Sequence, residues 1–279
     1  TAIHRFDISD PSEASYDVSG RVDGVLLNQF ALDEHDGNLR VATTTGSPFG
    51  TGDNQSESHV TVLEPTSYAL VEVGSVSGLG EGETIHAVRF IGETGYVVTF
   101  QQVDPLYMID LSDPSRPAET GELKILGYSA YLHPVGDGLL LGVGQDADET
   151  GRLEGTQVSL FDVSDPTDPE RVAQHTLDDA TSAAEGDHRA FLWWQDTELA
   201  AIPASTWGSG GSGFEGLIGF TIDREGQQIE ELGRVEHSDD ATSGRRHDDV
   251  EDLSLEVDGD GDGDELSWDT PDPARDDIA

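Results

Sequence analysis

Five polar side chains stand near the beginning of successive strand-like segments and could together bind a ligand. They are an asparagine, two histidines, a tyrosine and an arginine: Asn28, His86, Tyr128, His188 and Arg189. Such groups can hold a metal ion, an anion or a sugar hydroxyl. They can also merely hold ordered water at strand ends. The set has no matched carboxylate pair and few histidines for a metal site, so binding is the hypothesis to test and no catalytic residue is assigned.

Alternating aspartate and glycine near the end of the chain predict a second kind of chemistry. Five carboxylates have the spacing of a calcium-binding loop: Asp258, Asp260, Asp262, Asp264 and Asp269. Carboxylate oxygens suit a hard cation, and Gly263 takes the sixth place, where such a loop turns sharply. However, the twelfth residue is Asp269 where a bidentate glutamate is usual. A flexible acidic linker has the same composition, so calcium and a solvated linker both remain open.

The elements that must position these residues are short apolar runs separated by turns. The segment from residue 86 to 125 contains four such runs, rich in Val, Ile, Phe, Tyr and Thr, and a new set begins at Tyr128. The runs are His86–Ile91, Tyr96–Phe100, Leu106–Leu111 and Glu119–Ile125. Turns containing Gly, Asp or Pro separate them at the spacing of four antiparallel strands. This is the pattern of one propeller blade.

One motif repeats along the chain. Phe6–Pro11 returns as Ile109–Pro114 and as Phe161–Pro166, each with the core Asp-x-Ser-Asp-Pro. The last two copies lie about 50 residues apart, a period typical of a propeller with four strands per repeat. The aspartate can accept hydrogen bonds from backbone N–H groups of the turn, and the proline presets φ for the chain reversal. The sequence therefore predicts an all-β propeller.

Alignment on this motif predicts about five blades. Four are complete: Asp23–Gly78, His86–Ile125, Tyr128–Leu177 and His188–Val235. A fifth is composite, with outer strands from residues 1–20 and inner strands from the tail after Arg245, which closes the ring without exposed edges. The propeller then spans residues 1–245 and the acidic tail residues 246–279. The alternative is an incomplete ring cut from a longer parent.

This alignment also places side chains and loops. The five polar residues fall at the first positions of the innermost strands, at the mouth of the central channel. Arg89, farther along one of these strands, is expected to pair with a nearby acid. The long connections Gly46–Ser58, Asp146–Gly155 and Ser205–Phe214 all fall between second and third strands and gather on one face. Such loops on a rigid scaffold form a binding surface or are tolerated insertions.

The composition excludes several classes of partner. There are 57 acidic and 14 basic residues, giving a net charge of −43. Such a surface repels nucleic acid and anionic membrane, and no apolar run is long enough to span a bilayer. It is typical of a protein from concentrated salt, where screening over about 3 Å limits self-repulsion. The chain has no cysteine, which excludes disulfides and thiolate chemistry.

Three segments carry a resemblance to a known family: Asn28–Gly46, Val88–Val135 and Val158–Val172. They resemble the secreted C-terminal beta-propeller family of archaea and bacteria, and the acidic composition suits a haloarchaeal member. The resemblance implies an exported or surface-tethered propeller, and it brings no established reaction or catalytic residues. It covers roughly residues 1–236. After Arg245 the sequence departs from the blade pattern, which bears on blade number.

Three functions follow as hypotheses, and one of them is a structural module held together by a cation at the acidic tail. The first is a secreted or cell-surface binding or scaffold module, monomeric, that engages a protein or polysaccharide through its loop-rich face. The alternative is a hydrolase or lyase that acts on glycans at the channel mouth. Carboxylate pairs facing the channel favour the enzyme, because glycoside cleavage uses two such groups.

Overall fold

The computed structural model describes residues 1–100, 104–207 and 213–237. Antiparallel β-sheets dominate this part of the chain: one sheet of two strands is followed by four larger sheets. The two-stranded sheet contains β1 (Ala2–Asp7) and β2 (Ser15–Arg21). The other strands, in chain order, are as follows. Blade 1 contains β3 to β6, at Leu32–His35, Asn38–Thr45, Glu57–Pro65 and Leu70–Leu79. Blade 2 contains β7 to β10, at Thr84–Ile91, Thr94–Phe100, Asp104–Asp110 and Ala118–Ile125. Blade 3 contains β11 to β14, at Tyr128–Gly136, Leu139–Ala147, Leu153–Asp162 and Glu170–Asp178. Blade 4 contains β15 to β19, at Ala180–Ser182, Leu192–Trp194, Leu199–Thr206, Glu215–Asp223 and Gln228–Glu236.

Each blade runs from its first to its last strand in sequence order, and first strands of neighbouring blades contact each other, as β7 and β11 do. First strands therefore lie innermost, as in a propeller. The predicted fold class, an all-β propeller of four-stranded antiparallel blades, is confirmed. Within the described residues, five short 3-10 helices lie between the strands, at Gln29–Ala31, Gly52–Asn54, Ala183–Glu185, His188–Ala190 and Gln195–Thr197.

The hydrophobic core lies between neighbouring blades. Side chains that alternate along the strands fill three blade junctions, for example Val97 and Ile109 between blades 1 and 2, Met108 and Leu140 between blades 2 and 3, and Ile202 between blades 3 and 4. All five are fully buried. Since the strand period is two, one face of each sheet serves each neighbour.

The repeated turns contain the hydrogen bonds that the motif predicts. In blade 2, the backbone N–H of Ser112 donates to Asp110 at 2.9 Å and that of Ser115 donates to Asp113 at 3.0 Å. Blade 3 and the β1–β2 turn repeat the pattern. The turn of blade 2 covers a glycine of blade 1: a Cβ on Gly74 would lie 2.5 Å from the carbonyl oxygen of Pro114. The motif therefore also joins consecutive blades.

Two of the expected innermost strands are interrupted, which corrects the predicted boundaries. The apolar run Val25–Leu32, which predicts the first strand of blade 1, consists of an isolated bridge from Val25 to Thr44, the helix Gln29–Ala31 and then β3. In blade 4 the first-strand position is shared by β15 and β16, which both pair with β17. Residues 183–191 lie between them, so His188 begins a 3-10 helix instead of a strand.

The two-stranded sheet takes the place expected for the outer half of a fifth blade. β2 packs against β6 of blade 1, where Val18 joins Leu63 and Leu70 in a buried cluster. The inner strands expected from the tail, and the tail 246–279 itself, lie outside the described residues. On the outer strand of blade 4, a Cβ on Gly233 would meet nothing within 4 Å in the described structure. In blade 1 the longest connection, residues 46–56, lies between the second and third strands as expected, and residues 207–214 lie at the same place in blade 4. In blade 3 the expectation is wrong: residues 148–152 separate the second and third strands and residues 163–169 separate the third and fourth, because β12 and β13 extend into the expected loop.

Candidate functional site

The two interruptions are built by residues that favour helix N-termini. The Asn28 side chain accepts from the Phe30 N–H at 2.9 Å, and Asp187 accepts from the Arg189 N–H at 3.0 Å. Ser182 and Glu185 form a capping box. The Ser182 hydroxyl accepts from the backbone N–H of Ala184, and the Glu185 carboxylate accepts from the backbone N–H of Ser182. These caps supply partners for backbone groups that leave the sheet. The sequence therefore specifies both interruptions locally.

The two interrupting segments, one from blade 1 and one from blade 4, meet each other. The Gln29 amide nitrogen lies 3.1 Å from Nε2 of His188, and the rings of Phe30 and His188 are 5.0 Å apart, edge to face. These contacts bring together residues that lie far apart in sequence. In a regular blade, the same position is occupied by an unbroken first strand.

A cleft of about 590 Å³ opens between these segments. Three of the five predicted binding residues line it: Asn28, His188 and Arg189. The other lining residues come from the same two segments and from blade 3, namely Gln29, Phe30, Ala130, Tyr131, Ala184, Glu185, Gly186 and Asp187. The cleft therefore presents amide, imidazole, guanidinium and carboxylate groups beside two aromatic rings.

The remaining two predicted residues lie elsewhere. His86 and Tyr128 pack on each other, with ring centroids 4.6 Å apart, and both contact Phe100, at 5.6 and 4.7 Å. Neither lines the cleft. Burial lowers the pKa of His86, which favours a neutral imidazole. This cluster joins blades 2 and 3, and a ligand role for its two predicted members stays a prediction.

Arg189 and Asp187 form an exposed pair at the rim of the cleft. Nε and Nη2 of the guanidinium donate to the two carboxylate oxygens at 2.9 and 3.0 Å. The side-chain and backbone hydrogen bonds from Arg189 lower the pKa of Asp187. The Arg189 side chain is 79% exposed, so the pair can reorganise around a ligand at little cost.

Glu185 fastens the blade 4 segment to blade 3. Its carboxylate accepts from Gln145 Nε2 at 2.7 Å, from the Thr156 hydroxyl at 2.8 Å and from the Ser182 N–H at 2.9 Å. Burial raises the pKa of Glu185, and these three hydrogen bonds oppose that rise. Sequence analysis did not identify Glu185, although the Ser182-x-x-Glu185 spacing is the signal of a capping box.

Arg89 has different partners from those expected. Its guanidinium carbon lies 3.8 Å from the ring centroid of Phe30 and 5.2 Å from that of Tyr131. Nε and Nη2 donate to the carbonyl oxygen of Leu132. The expected pairing with an acid is wrong for the described residues, since the ion pairs there involve arginines 5, 40, 116, 189, 224 and 234.

His133 lies on the far side of this aromatic cluster. Its Nδ1 is 3.1 Å from the Tyr131 hydroxyl, and its ring centroid is 5.0 Å from that of Phe191. Burial, with a smaller contribution from the Arg89 charge, lowers the pKa of His133 to about 4. At neutral pH this histidine is therefore uncharged, and Arg89 carries the positive charge of the cluster.

Metal binding has no support within the described part of the chain. There, no group of three or more His, Asp or Glu side chains is arranged to hold a metal ion. The predicted calcium ligands, residues 258 to 269, lie outside residues 1–237, and calcium binding stays a prediction. No helix among the described residues is long and apolar enough to cross a bilayer.

Comparison with known proteins places the chain among propellers. Residues 1–258 match the family described as Beta propeller domain. An uncharacterized protein of Methanocaldococcus jannaschii is 44% identical over 191 residues, which are 68% of this chain and 29% of that protein. An uncharacterized protein of Archaeoglobus fulgidus is 39% identical over 204 residues, 73% of this chain and 30% of that protein. The chain thus spans less than a third of the length of these relatives.

Among solved structures, the periplasmic gluconolactonase of Pseudomonas aeruginosa is similar with a TM-score of 0.38 and 14% sequence identity. The similarity covers 84% of this chain and 78% of that one.

Proposed function

The chain belongs to the Beta propeller domain family, and from this premise we propose that it is a non-catalytic binding module whose ligand is a glycan held in the cleft at the channel mouth. The observation that carries the proposal is the meeting of the two interrupting segments, where Gln29 contacts His188. The Phe30 ring is partly exposed, and such aromatic faces pack against the apolar faces of sugar rings, while amides and charged groups bind hydroxyls. A protein partner on the loop-bearing face is the competing possibility that the experiment separates.

The experiment is a binding screen of immobilised glycans and secreted proteins in molar potassium chloride. The test variant is H188A. The control is H35A, because the His35 and His188 side chains are equally exposed, at 35%, and His35 does not line the cleft. We expect glycan retention, weakened at least about tenfold in H188A and unchanged in H35A. Retention of proteins alone, or equal glycan binding by both variants, contradicts the proposal.

A glycan hydrolase or lyase is the second candidate, favoured by one observation. Glu185 and Asp187 line the same cleft, and their pKa values are shifted in opposite directions, up for Glu185 and down for Asp187. Such a pair can divide the roles of acid and base. The binding function is nevertheless better supported, because Gln145, Thr156 and Ser182 already engage the Glu185 carboxylate.

Release of reducing ends from retained glycans tests the enzyme. Turnover that is lost in both E185Q and D187N supports hydrolysis, whereas retention of an intact glycan with no released ends supports binding alone.

We further propose that the module works outside the cell or on its surface, in concentrated salt and as a monomer. The charge of −43 supports the concentrated-salt environment, because molar salt screens repulsion beyond about 3 Å. The thermal unfolding midpoint should rise between about 0.1 and about 1 M potassium chloride. A midpoint that falls with salt contradicts halophilic adaptation.

A further inference from the structure

Arg89 is a positively charged side chain in the channel whose partners are all neutral. Leu132 contributes a carbonyl oxygen and Phe30 and Tyr131 contribute ring faces. The ion pairs of the described residues do not include Arg89. Burial lowers the pKa of Arg89, and the group that opposes this is Tyr131 rather than a carboxylate.

This environment differs from that of the fully buried arginine. Six arginines of the described residues form ion pairs with acids, and among them Arg40, which is buried, is paired with Asp33. A half-buried charge without a counter-ion is costly. His133, beside the cluster, is held neutral and supplies no negative charge. The missing negative charge is therefore one that a ligand can bring.

The guanidinium is half-buried and lies beside the cleft. Nε and Nη2 donate to the carbonyl oxygen of Leu132, and Tyr131 supplies a further neutral hydrogen-bond partner. No carboxylate of the described residues pairs with Nη1. Phe30 and Tyr131, whose rings contact the guanidinium, also line the cleft.

We propose that the glycan bound in the cleft is acidic and that a sugar carboxylate pairs with Nη1 of Arg89. The inference rests on the proposed function, because the cleft must admit a glycan for its carboxylate to reach the channel. Charge-assisted hydrogen bonds from arginine to carboxylate are short and strong. The net charge of the chain does not prevent this, since at molar salt only contacts within about 3 Å escape screening.

The experiment compares two hexasaccharides that differ only at C6, a β-1,4-linked glucose hexamer and its glucuronate counterpart. Each is titrated calorimetrically at constant molar potassium chloride into the wild type, R89Q and R116Q. The control, Arg116, has a side chain that is 82% exposed and is not among the residues that line the cleft. We expect the wild type and R116Q to prefer glucuronate by about tenfold, the size of one charge-assisted bond, and R89Q to show no preference.

A second variant guards against misfolding of R89Q. R89K keeps the charge but loses the planar guanidinium, and a weakened preference for glucuronate is expected. Sodium sulfate, titrated alone, tests for a site that binds small free anions. If the wild type binds sulfate with the same affinity as the glucuronate hexamer, the glycan assignment is overturned.

The remaining outcomes separate the inference from the function it rests on. Equal affinity of the wild type for both hexamers, or a preference that persists unchanged in R89Q, overturns the role of Arg89 and leaves glycan binding standing. Failure of both hexamers, together with an empty glycan screen, overturns the proposed function itself.

Discussion

Blades 2 and 4 have the same four-strand ladder but use their innermost strand differently. In blade 2 the first strand, β7, runs unbroken over eight residues, and Gly121 of its outer strand lies under the Pro166 turn of blade 3. In blade 4 the first-strand position is split by residues 183–191, and Gly233 is uncovered. The difference teaches that a continuous first strand leaves no room at the channel mouth, whereas an interrupted one opens a cleft beside its neighbours.

An innermost strand can be interrupted because it has a sheet neighbour on one side only. Breaking it removes ladder bonds to β17, while the ladder between β17 and β18 stays intact over seven residue pairs. The freed backbone groups must still find partners, and Ser182, Glu185 and Asp187 provide some of them. An interruption is therefore tolerated where capping side chains are present.

The largest expected effect separates a covered glycine from an uncovered one. In Gly74→Ala, the new Cβ would lie 2.5 Å from the carbonyl oxygen of Pro114 and 2.7 Å from Cδ of Pro117. Overpacking against backbone and a proline ring should lower the free energy of unfolding by about 2 to 3 kcal/mol. Gly233→Ala, at the same position of blade 4, should cost nothing. Chemical denaturation measures both, and equal losses would show that the outer face of blade 4 is covered.

The next effect concerns the buried arginine between blades 1 and 2. Arg40 pairs with Asp33, donates to the carbonyl oxygen of Gly92 and lies over the ring of Phe90. Its replacement by methionine should cost about 2 kcal/mol, because charged hydrogen bonds are lost and Asp33 is left without its partner. Arg116→Met, in an exposed pair, should not change the denaturation midpoint measurably. If Arg40→Met left the free energy of unfolding unchanged, packing alone would join these blades.

A smaller effect should appear in the pH dependence of stability. Burial raises the pKa of Glu185 above its ordinary value of 4.5, so the folded chain holds this proton more tightly than the unfolded chain. The stabilisation is complete below pH 4.5 and is lost as the pH rises through the raised pKa. E185Q should reduce this decline, and Glu83 and Glu119, whose pKa values are also raised by burial, account for the part that remains.

The free energy of unfolding, measured from pH 4 upward at fixed salt, provides the test. D187N serves as the control, because hydrogen bonds from Arg189 lower the pKa of Asp187. The contribution of Asp187 to the free energy of unfolding therefore changes below pH 3.8, the ordinary pKa of this carboxyl. The slope above pH 4.5 should survive in D187N. Identical slopes in the wild type and E185Q would contradict the assignment.

The smallest effect distinguishes two buried serines of blade 1, Ser56 and Ser58, which are 1% and 0% exposed. The Ser58 hydroxyl lies 3.2 Å from the Thr44 hydroxyl, whereas that of Ser56 lacks a partner among the described residues. Ser58→Ala should cost about 1 kcal/mol, and Ser56→Ala should be neutral or slightly stabilising. Thermal unfolding of the two variants, compared side by side, checks this order, and an equal loss would indicate a bound water at Ser56.

Much of the fold could be predicted because the same physical signals recur. The Asp-x-Ser-Asp-Pro turn marks the end of the third strand in blades 2 and 3, and its hydrogen bonds are as the motif predicts. The interruptions could not be predicted from apolar pattern alone. Residues 25–32 and 188–194 are rich in Leu, Phe and Trp, which suits a strand, and only the capping residues indicate otherwise.

The candidate site was predicted in part for a related reason. Both His86 and His188 stand at the first position of an expected innermost strand, which placed them at the same channel mouth. This placement assumes a strand at each histidine, and His188 lies in a 3-10 helix. The lack of an acid beside Arg89 could not be foreseen either, because carboxylates are spread over the whole sequence. Only the folded arrangement shows which basic side chains they miss.

Three arginines join neighbouring blades by donating to main-chain oxygens: Arg40 to Gly92, Arg89 to Leu132 and Arg224 to Val135. A peptide carbonyl has no proton to gain, and no point mutation at the acceptor residue can delete it. These hydrogen bonds between blades therefore persist at low pH and at salt concentrations high enough to weaken ion pairs. Acidic residues of the surface can then change during evolution without weakening the contacts between neighbouring blades.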